Sequence, residues 1–531
     1  MKKILSSIIV FAVALFVSFS TTYAASTINN DSELSNILDD WIGPEINITY
    51  DGIENNFTAD IDITDYMIDN DGVTYFVSKD GDNTNDGLTL ETAFLTLHEA
   101  LNQIDVDTIF VDSGIYEIDG NMDRVITNKK LNIIGLDNDV IFTGSVSYAG
   151  WTLTSGQTNT YEKTLVSAAY SVRDIGNDWQ KYESKTSVAE VELSPGSFYY
   201  NSGTNVVYVH DLDSVEPDTD IQVVQYDAFR FTNAEIYMEK INIYAAENTL
   251  MIGKGSKAFL NNMTLKYSDG SGSNGLTVTS SNVISKNVTA TDNYRDGFNY
   301  HNTDVGYTDV QYYVIELDSI AYDNGIVDTS EINNGSSVHE DYQVIRINNE
   351  YYNNGGANVH DIGTSISYNF GVKSYDSTIG VDFNKSDLNT SYLFNPIALS
   401  TNGISENIIP FEVYYSLTYQ TQIASTIYSD FYQENDTVLL PDDPVRTGYA
   451  FDGWYEDSTF TTAFELVEMP AERITTYARW IPTPSAGSII SVDSDASLTF
   501  LGLAWYWWVA GIGVLYFGFT KKGRKTLGFK K

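Results

Sequence analysis

The sequence predicts an all-β chain dominated by a solenoid, a rod of stacked coils, and two periodic signals carry that expectation. A five-residue phrase opening on glycine recurs as Gly275-Leu-Thr-Val-Thr279, Gly297-Phe-Asn-Tyr-His301, Gly335-Ser-Ser-Val-His339, Gly356-Ala-Asn-Val-His360 and Gly380-Val-Asp-Phe-Asn384. Its glycines fall 22, 38, 21 and 24 residues apart, a repeat with one long excursion, as stacked coils produce. A second marker keeps step: Asn293, Asn324, Asn354 and Ser377 end the triplets Thr-Asp-Asn, Tyr-Asp-Asn, Tyr-Asn-Asn and Tyr-Asp-Ser. Asparagine tolerates a left-handed corner and can bond to its stacked copy, so these residues predict an amide ladder at one turn. The 38 Tyr and 25 Phe suit strands.

These coils resemble the pectate-lyase-like family of right-handed parallel β-helices, whose coils of similar length carry such ladders. The resemblance implies that handedness and fold for residues 74–400. It lies in the coil pattern, and no catalytic motif of the family is matched.

In chain order, residues 1–25 join Lys2 and Lys3 to an apolar run ending at Phe19 and small residues at Ala24 and Ala25. This is the layout of a cleaved secretory signal peptide. Residues 26–73 are rich in Asn and Asp, with no assigned role. A strand at 74–78, a Gly/Asp loop at 80–87, a helical spacing at 93–101 and a strand at 107–117 together resemble the N-terminal cap of the same family. The 80–87 loop begins like a calcium loop, but Ala93 stands where a ligating Glu is required, leaving a plain turn. Residues 145–226 break the coil phrasing with hairpin-like alternation and are expected to form an inserted β subdomain, with Trp151, Trp179 and His210 structural.

Residues 404–481 are a separate unit. The phrases Gly448-Tyr-Ala-Phe-Asp-Gly-Trp-Tyr455 and Tyr477-Ala-Arg-Trp480 resemble the Listeria-Bacteroides repeat, or internalin B-repeat, although the usual glycine turn after its first strand is lacking. The resemblance implies a small β-grasp-like stalk module with Trp454 and Trp480 in its core. Residues 482–497 read as a tether. Residues 498–519 form an uncharged run of 22 residues, which as a helix spans about 33 Å, enough to cross a bilayer. The expected organisation is a single transmembrane helix at 498–520 and a cytoplasmic basic tail at 521–531, with the bulk of the chain outside the cell.

The formal charge is −43, and setting aside the eight basic residues of the leader and tail leaves −51 between them. Such a chain repels nucleic acid and attracts divalent cations. Without cysteine, disulfide and thiolate chemistry are excluded.

Side chains alternate faces along a strand. Asn299/His301, Ser337/His339 and Asn358/His360 therefore share an outward face, and in stacked coils about 4.8 Å apart the three imidazoles should form one column. Imidazoles so close should be neutral, bridged by an anion or bound to a metal. The candidate catalytic residues are His301, His339, Asp341 and Asp296. Those for substrate contact are Asn299, Ser337, Asn358, His360 and Asp361, and Glu340 is the metal candidate. Long stretches at 303–311 and 326–334 would wall the site. Two chemistries suit an extracellular polysaccharide or a host or cell-surface glycan: hydrolysis between Asp296 and Asp341, or elimination with a histidine base and Ca²⁺. The alternative is a noncatalytic adhesin or envelope spacer.

Overall fold

A computed structural model describes residues 26–27, 37–38, 40–52, 54–69, 71–118, 125–326, 333–386, 388–405, 411–423 and 427–483. The expected leader, membrane segment and basic tail, with nearly all of the tether, lie outside these residues. Among the described residues no helix is long and apolar enough to cross a membrane. Two compact units are distinguished, Met1–Asp443 with Gly453–Arg479, and Pro444–Asp452 with Trp480–Lys531.

The first unit contains a β-solenoid of stacked parallel strands. On one face, Val125–Thr127, Phe229–Thr232, Leu250–Gly253, Leu276–Thr279, Phe298–His301, Ser336–Val338, Val359–Asp361 and Phe383–Lys385 form an eight-stranded sheet in chain order. Two further faces are built from strands such as Tyr313–Leu317, Gln343–Ile347, Ile366–Phe370 and Thr390–Phe394, and Ile320–Tyr322, Glu350–Tyr352 and Lys373–Tyr375. Alternation sends Phe298, Tyr300, Val338, Val359 and Phe383 into one continuous core. Like stacks on like outside it: the Tyr322, Tyr352 and Tyr375 rings lie 4.8 and 4.9 Å apart and almost parallel. The helix Leu97–Leu101 buries Leu97, Ala100 and Leu101 in that same core.

The amide ladder forms, with one changed rung. Asn293 Nδ2 donates to Asn324 Oδ1 (2.9 Å), Asn324 Nδ2 to Asn354 Oδ1 (3.0 Å), and Asn354 Nδ2 to Asn358 Oδ1 (2.8 Å). Ser377, expected as the last rung, instead accepts the Val381 amide at 2.9 Å. A serine hydroxyl is too short to span coils as a carboxamide does.

Residues 41–66 acquire a role that their composition did not disclose. Strands such as Tyr313–Leu317 turn Tyr313, Ile315 and Leu317 outward, so the outer face requires a cover. Ile46, Ile48, Tyr50, Phe57, Ile61 and Ile63 supply it, packing on Ile315, Ile345, Tyr368, Phe370 and Phe394. Asn348 ties this layer down by donating to the Phe57 carbonyl (2.7 Å) and accepting its amide (3.2 Å).

The stretch 145–226 forms two small sheets of largely antiparallel strands around Trp151, Val172, Phe198 and Val209. His210 is buried there, bonded to the Val191 carbonyl and the Ser214 hydroxyl, both at 2.9 Å. Asp269 of the solenoid anchors the insertion, binding Arg173 Nε (2.7 Å), Arg173 Nη2 (2.9 Å) and Lys181 Nζ (2.6 Å). Burial opposes ionisation of Asp269, but the two cations overcome it and hold its pKa at about 2.

Beyond the coils, Glu412–Gln420 pairs parallel with Thr390–Phe394, so the next module begins on the solenoid's own sheet. The same strand pairs antiparallel with Ile427–Tyr432 and, through Leu417 to Gln420, parallel with Ile474 to Tyr477. Trp454 is buried 5.2 Å from the Tyr419 ring. Trp480, expected in the core, is only half-buried against Phe451.

Asn324→Ala should lower the unfolding free energy by about 2–4 kcal/mol, because it strands buried amide groups on both neighbouring coils. Ser377→Ala, which removes one local bond, should cost about 1 kcal/mol. Urea midpoints of the two variants check the difference.

Candidate functional site

Register in the eight-stranded sheet decides which outward side chains meet. Asn299 pairs with Ser337, Ser337 with His360 and His360 with Asn384, making one file. Thr279 pairs with His301 in the next file, and the His301 and His339 rings stack with centroids 3.8 Å apart and planes at 23°. His360 therefore stands beside Ser337, not above His339, and the expected column of three is a column of two.

The ladder supplies the reason. A Cβ added at Gly297 would lie 2.9 Å from Asn324 Nδ2, and one at Gly335 2.8 Å from Asn354 Nδ2. Only glycine admits so close a carboxamide. In the following coil that position belongs to Asn358, whose own side chain receives the Asn354 amide. The phrase from Gly356 to His360 thus slips two residues along the sheet.

Beside the imidazole pair, Glu340 Oε2 lies 3.4 Å from His301 Nδ1 and accepts the Asn302 amide at 3.0 Å. Burial works against the Glu340 carboxylate, yet the bonds from His301 and Asn302 hold its pKa below the ordinary value. Burial, reinforced by repulsion from His301, lowers His339 to about 4. At neutral pH that ring is uncharged. The loop at 303–311 is pinned on this side: Asp304 Oδ2 accepts the Lys254 amide and the Thr279 hydroxyl, both at 2.8 Å. Of the other expected wall, only Ile326, Asn333 and Asn334 are described.

Asp296 is buried at the entry of the sheet, its Oδ2 accepting from Ser337 Oγ and Asn299 Nδ2, both at 2.7 Å. Burial raises its pKa despite these bonds. Asp341 lies at the opposite end, exposed and bonded to the Thr364 hydroxyl. Asp296 Oδ1 also accepts the Asn334 amide, so its carboxyl is taken up by Asn299, Asn334 and Ser337. Buried and so engaged, Asp296 is not presented together with the exposed Asp341 as a glycosidase pair requires.

Four of the five expected substrate contacts are buried: Asn299 and Ser337 are bonded to Asp296, and Asn358 and Asp361 point elsewhere. Asn358 is fully buried, its Nδ2 donating to the Tyr375 carbonyl at 2.8 Å. Asp361 has the parity of Val359 and turns inward to Arg346 Nη2 (3.0 Å), while Arg346 Nε faces Glu316 at 3.6 Å, all three fully buried. Burial disfavours the Arg346 cation, but these carboxylates more than compensate and raise its pKa. Sequence reasoning missed Asn384, whose Nδ2 lies 3.2 Å from His360 Nε2; its position in the recurring phrase could have revealed it. It also missed Asn302 and Arg346, which no spacing marks. Burial lowers His360, although Asp361 and Asp296 pull the other way.

A separate cleft of about 390 Å³ lies between the insertion and the solenoid turns, lined by Trp179, Lys181, Tyr267, Asp292, Tyr294 and Asp323 among others. None of the predicted site residues lines it. Trp179 edges this cleft while packing against Tyr244 (5.5 Å), and Trp151 lies in the insertion core.

Residues 415–479 match the family model of the Listeria-Bacteroides repeat domain, inside the unit expected at 404–481. No curated protein matches the chain. Solved structures similar to it include a XylC complex with xylose, 10% identical over 66% of this chain and 69% of that one, with a TM-score of 0.42. Others are a glycoside hydrolase (10% identity, 65% and 91%, TM-score 0.39) and the pectate lyase Pel9A (13%, 63% and 78%, 0.30). At these scores the likenesses assign no activity.

Two outcomes are expected. The folded pKa of His339 lies below the ordinary 6.5, so its contribution to stability is complete above pH 6.5 and is lost as pH falls toward 4, by roughly 3 kcal/mol in all. Denaturation across that window in chelator should show His339→Asn with a shallower acid-side loss than wild type. Asp361→Ala should destabilise by about 3–5 kcal/mol by leaving Arg346 without its partner, while ligand binding by the protein that remains folded is unchanged.

Proposed function

We propose that the solenoid presents its histidine-bearing sheet to an extracellular polysaccharide, on a protein held at the cell surface. The observation that carries this reading is the pair of adjacent files, in which His360 and Asn384 of one and His301 and His339 of the other are partly exposed beside the pinned 303–311 loop, with Asn299 and Ser337 buried beneath. Carboxamide, hydroxyl and imidazole groups each offer both donors and acceptors, so a regular array of them suits the hydroxyls of a sugar chain. Phosphate-rich ligands suit it poorly, since the net charge is −43 and none of the named positions of either file is a lysine or arginine. The surface location is supported by the leader-like start and by the uncharged run followed by six basic residues. The repeat module and tether would then serve as a stalk.

Hydrolysis by Asp296 and Asp341 is not part of the proposal, because Asp296 is buried and bonded to Asn299, Asn334 and Ser337. Elimination needs one base and one cation at a single place, and the neighbourhood of His301, His339 and Glu340 can offer both. Screening the purified protein against a panel of neutral and uronate-containing glycans is the test. Retention of at least one polysaccharide is expected, weakened at least about tenfold in His301→Ala and His360→Ala at unchanged melting temperature, the size of a lost buried hydrogen-bonding contact. Unsaturated products would identify a lyase, and binding without products an adhesin. If no glycan is retained, the reading fails and a spacer remains.

A further inference from the structure

We propose that His301, His339 and Glu340 form a binding site for one divalent transition-metal ion of the zinc class. One donor atom from each of the three lies within 4.8 Å of the other two, and among the described residues no other His, Asp and Glu side chains converge in this way. The histidines reach this point from consecutive coils, so the site exists only once the solenoid has stacked.

The backbone at Glu340 sets the direction of its side chain. Its φ is +52°, a left-handed turn that many other described non-glycine residues of this fold also adopt. Here it folds the carboxylate back over the imidazoles, where the Asn302 amide orients Oε2. The adjacent chain makes room: a Cβ at Gly363 would come within 3.0 Å of the Glu340 nitrogen.

The donor set discriminates between ions. Calcium takes about six to eight oxygens, whereas two imidazole nitrogens and one carboxylate oxygen suit zinc or cobalt. Three protein donors leave a fourth position open, as in zinc sites that act on a ligand. A metal lies in the plane of each imidazole it binds, so the rings, now face to face at 3.8 Å, must rotate to aim a nitrogen each at the ion. Both are partly exposed. An oxygen of the bound sugar would fill the open position; that role rests on the glycan-binding reading, and the ion site itself does not.

The full-length protein, stripped with EDTA, is titrated with zinc chloride against a chromophoric chelator, and with cobalt chloride while the visible d–d bands are followed. Binding of about one ion per chain is expected, with cobalt bands of tetrahedral intensity and no competition from excess calcium. His301→Asn, His339→Asn and Glu340→Gln should each weaken zinc binding at least about tenfold, while His98→Ala leaves it unchanged and circular dichroism shows all four folded. Absence of saturable zinc binding, or equal binding by the folded His301→Asn and His339→Asn variants, overturns the site. Repeating the glycan screen with stripped protein separates the two readings: an ion without glycan retention sinks the glycan proposal alone, and glycan retention without an ion sinks this one alone.

Discussion

A carboxamide packed against a glycine sets the phase of this protein. Each ladder asparagine spends its side-chain donor and acceptor on the coils above and below, and its nitrogen comes so near the first residue of the sheet that Gly297 and Gly335 have no alternative. Buried amides must be paired, so the contact cannot slide by one residue without stranding polar groups and turning every core side chain outward. Phe298, Tyr300 and Val338 enter the core in step because the turn before them is locked.

What the ladder does at one corner, burial does for the rest of the rod. The outer faces of strands such as Tyr313–Leu317 and Gln343–Ile347 carry Ile315, Leu317, Ile345 and Ile347, and the layer at 41–66 removes them from water. The inner polar cluster of Arg346, Glu316 and Asp361 has no such escape, and its charges are tolerated because each faces an opposite one. The histidine sheet differs from both: its outer face is polar, with His301, His339, His360 and Asn384 partly exposed and Asn299 and Ser337 buried.

Much of this was legible in the residues. Recurring glycines and asparagines announced coils and a ladder, alternation named the outward residues Asn299, His301, Ser337, His339 and His360, and the Gly-Tyr-x-Phe-x-Gly-Trp-Tyr phrase located the repeat module. The covering layer was not legible, because residues 26–73 are rich in polar residues and their few isoleucines acquire meaning only against the strands they cover. Nor was the slip at Gly356, where the same spelling occurs in a different phase because Asn358 takes the next rung. The burial of Asp296 was hidden as well, since a pattern along one strand does not show which residues of the next coil enclose a side chain.

By itself the sequence determined an all-β coil repeat, its period, its outward face and the small module after it, because each is a local pattern that one strand or turn enforces. Only the tertiary structure decided that two imidazoles and not three stack, that Glu340 folds back over them and that Asp361 lies inside with Arg346. Those relations join residues of different coils, and the register that joins them is set by contacts between turns, which no single stretch of chain contains.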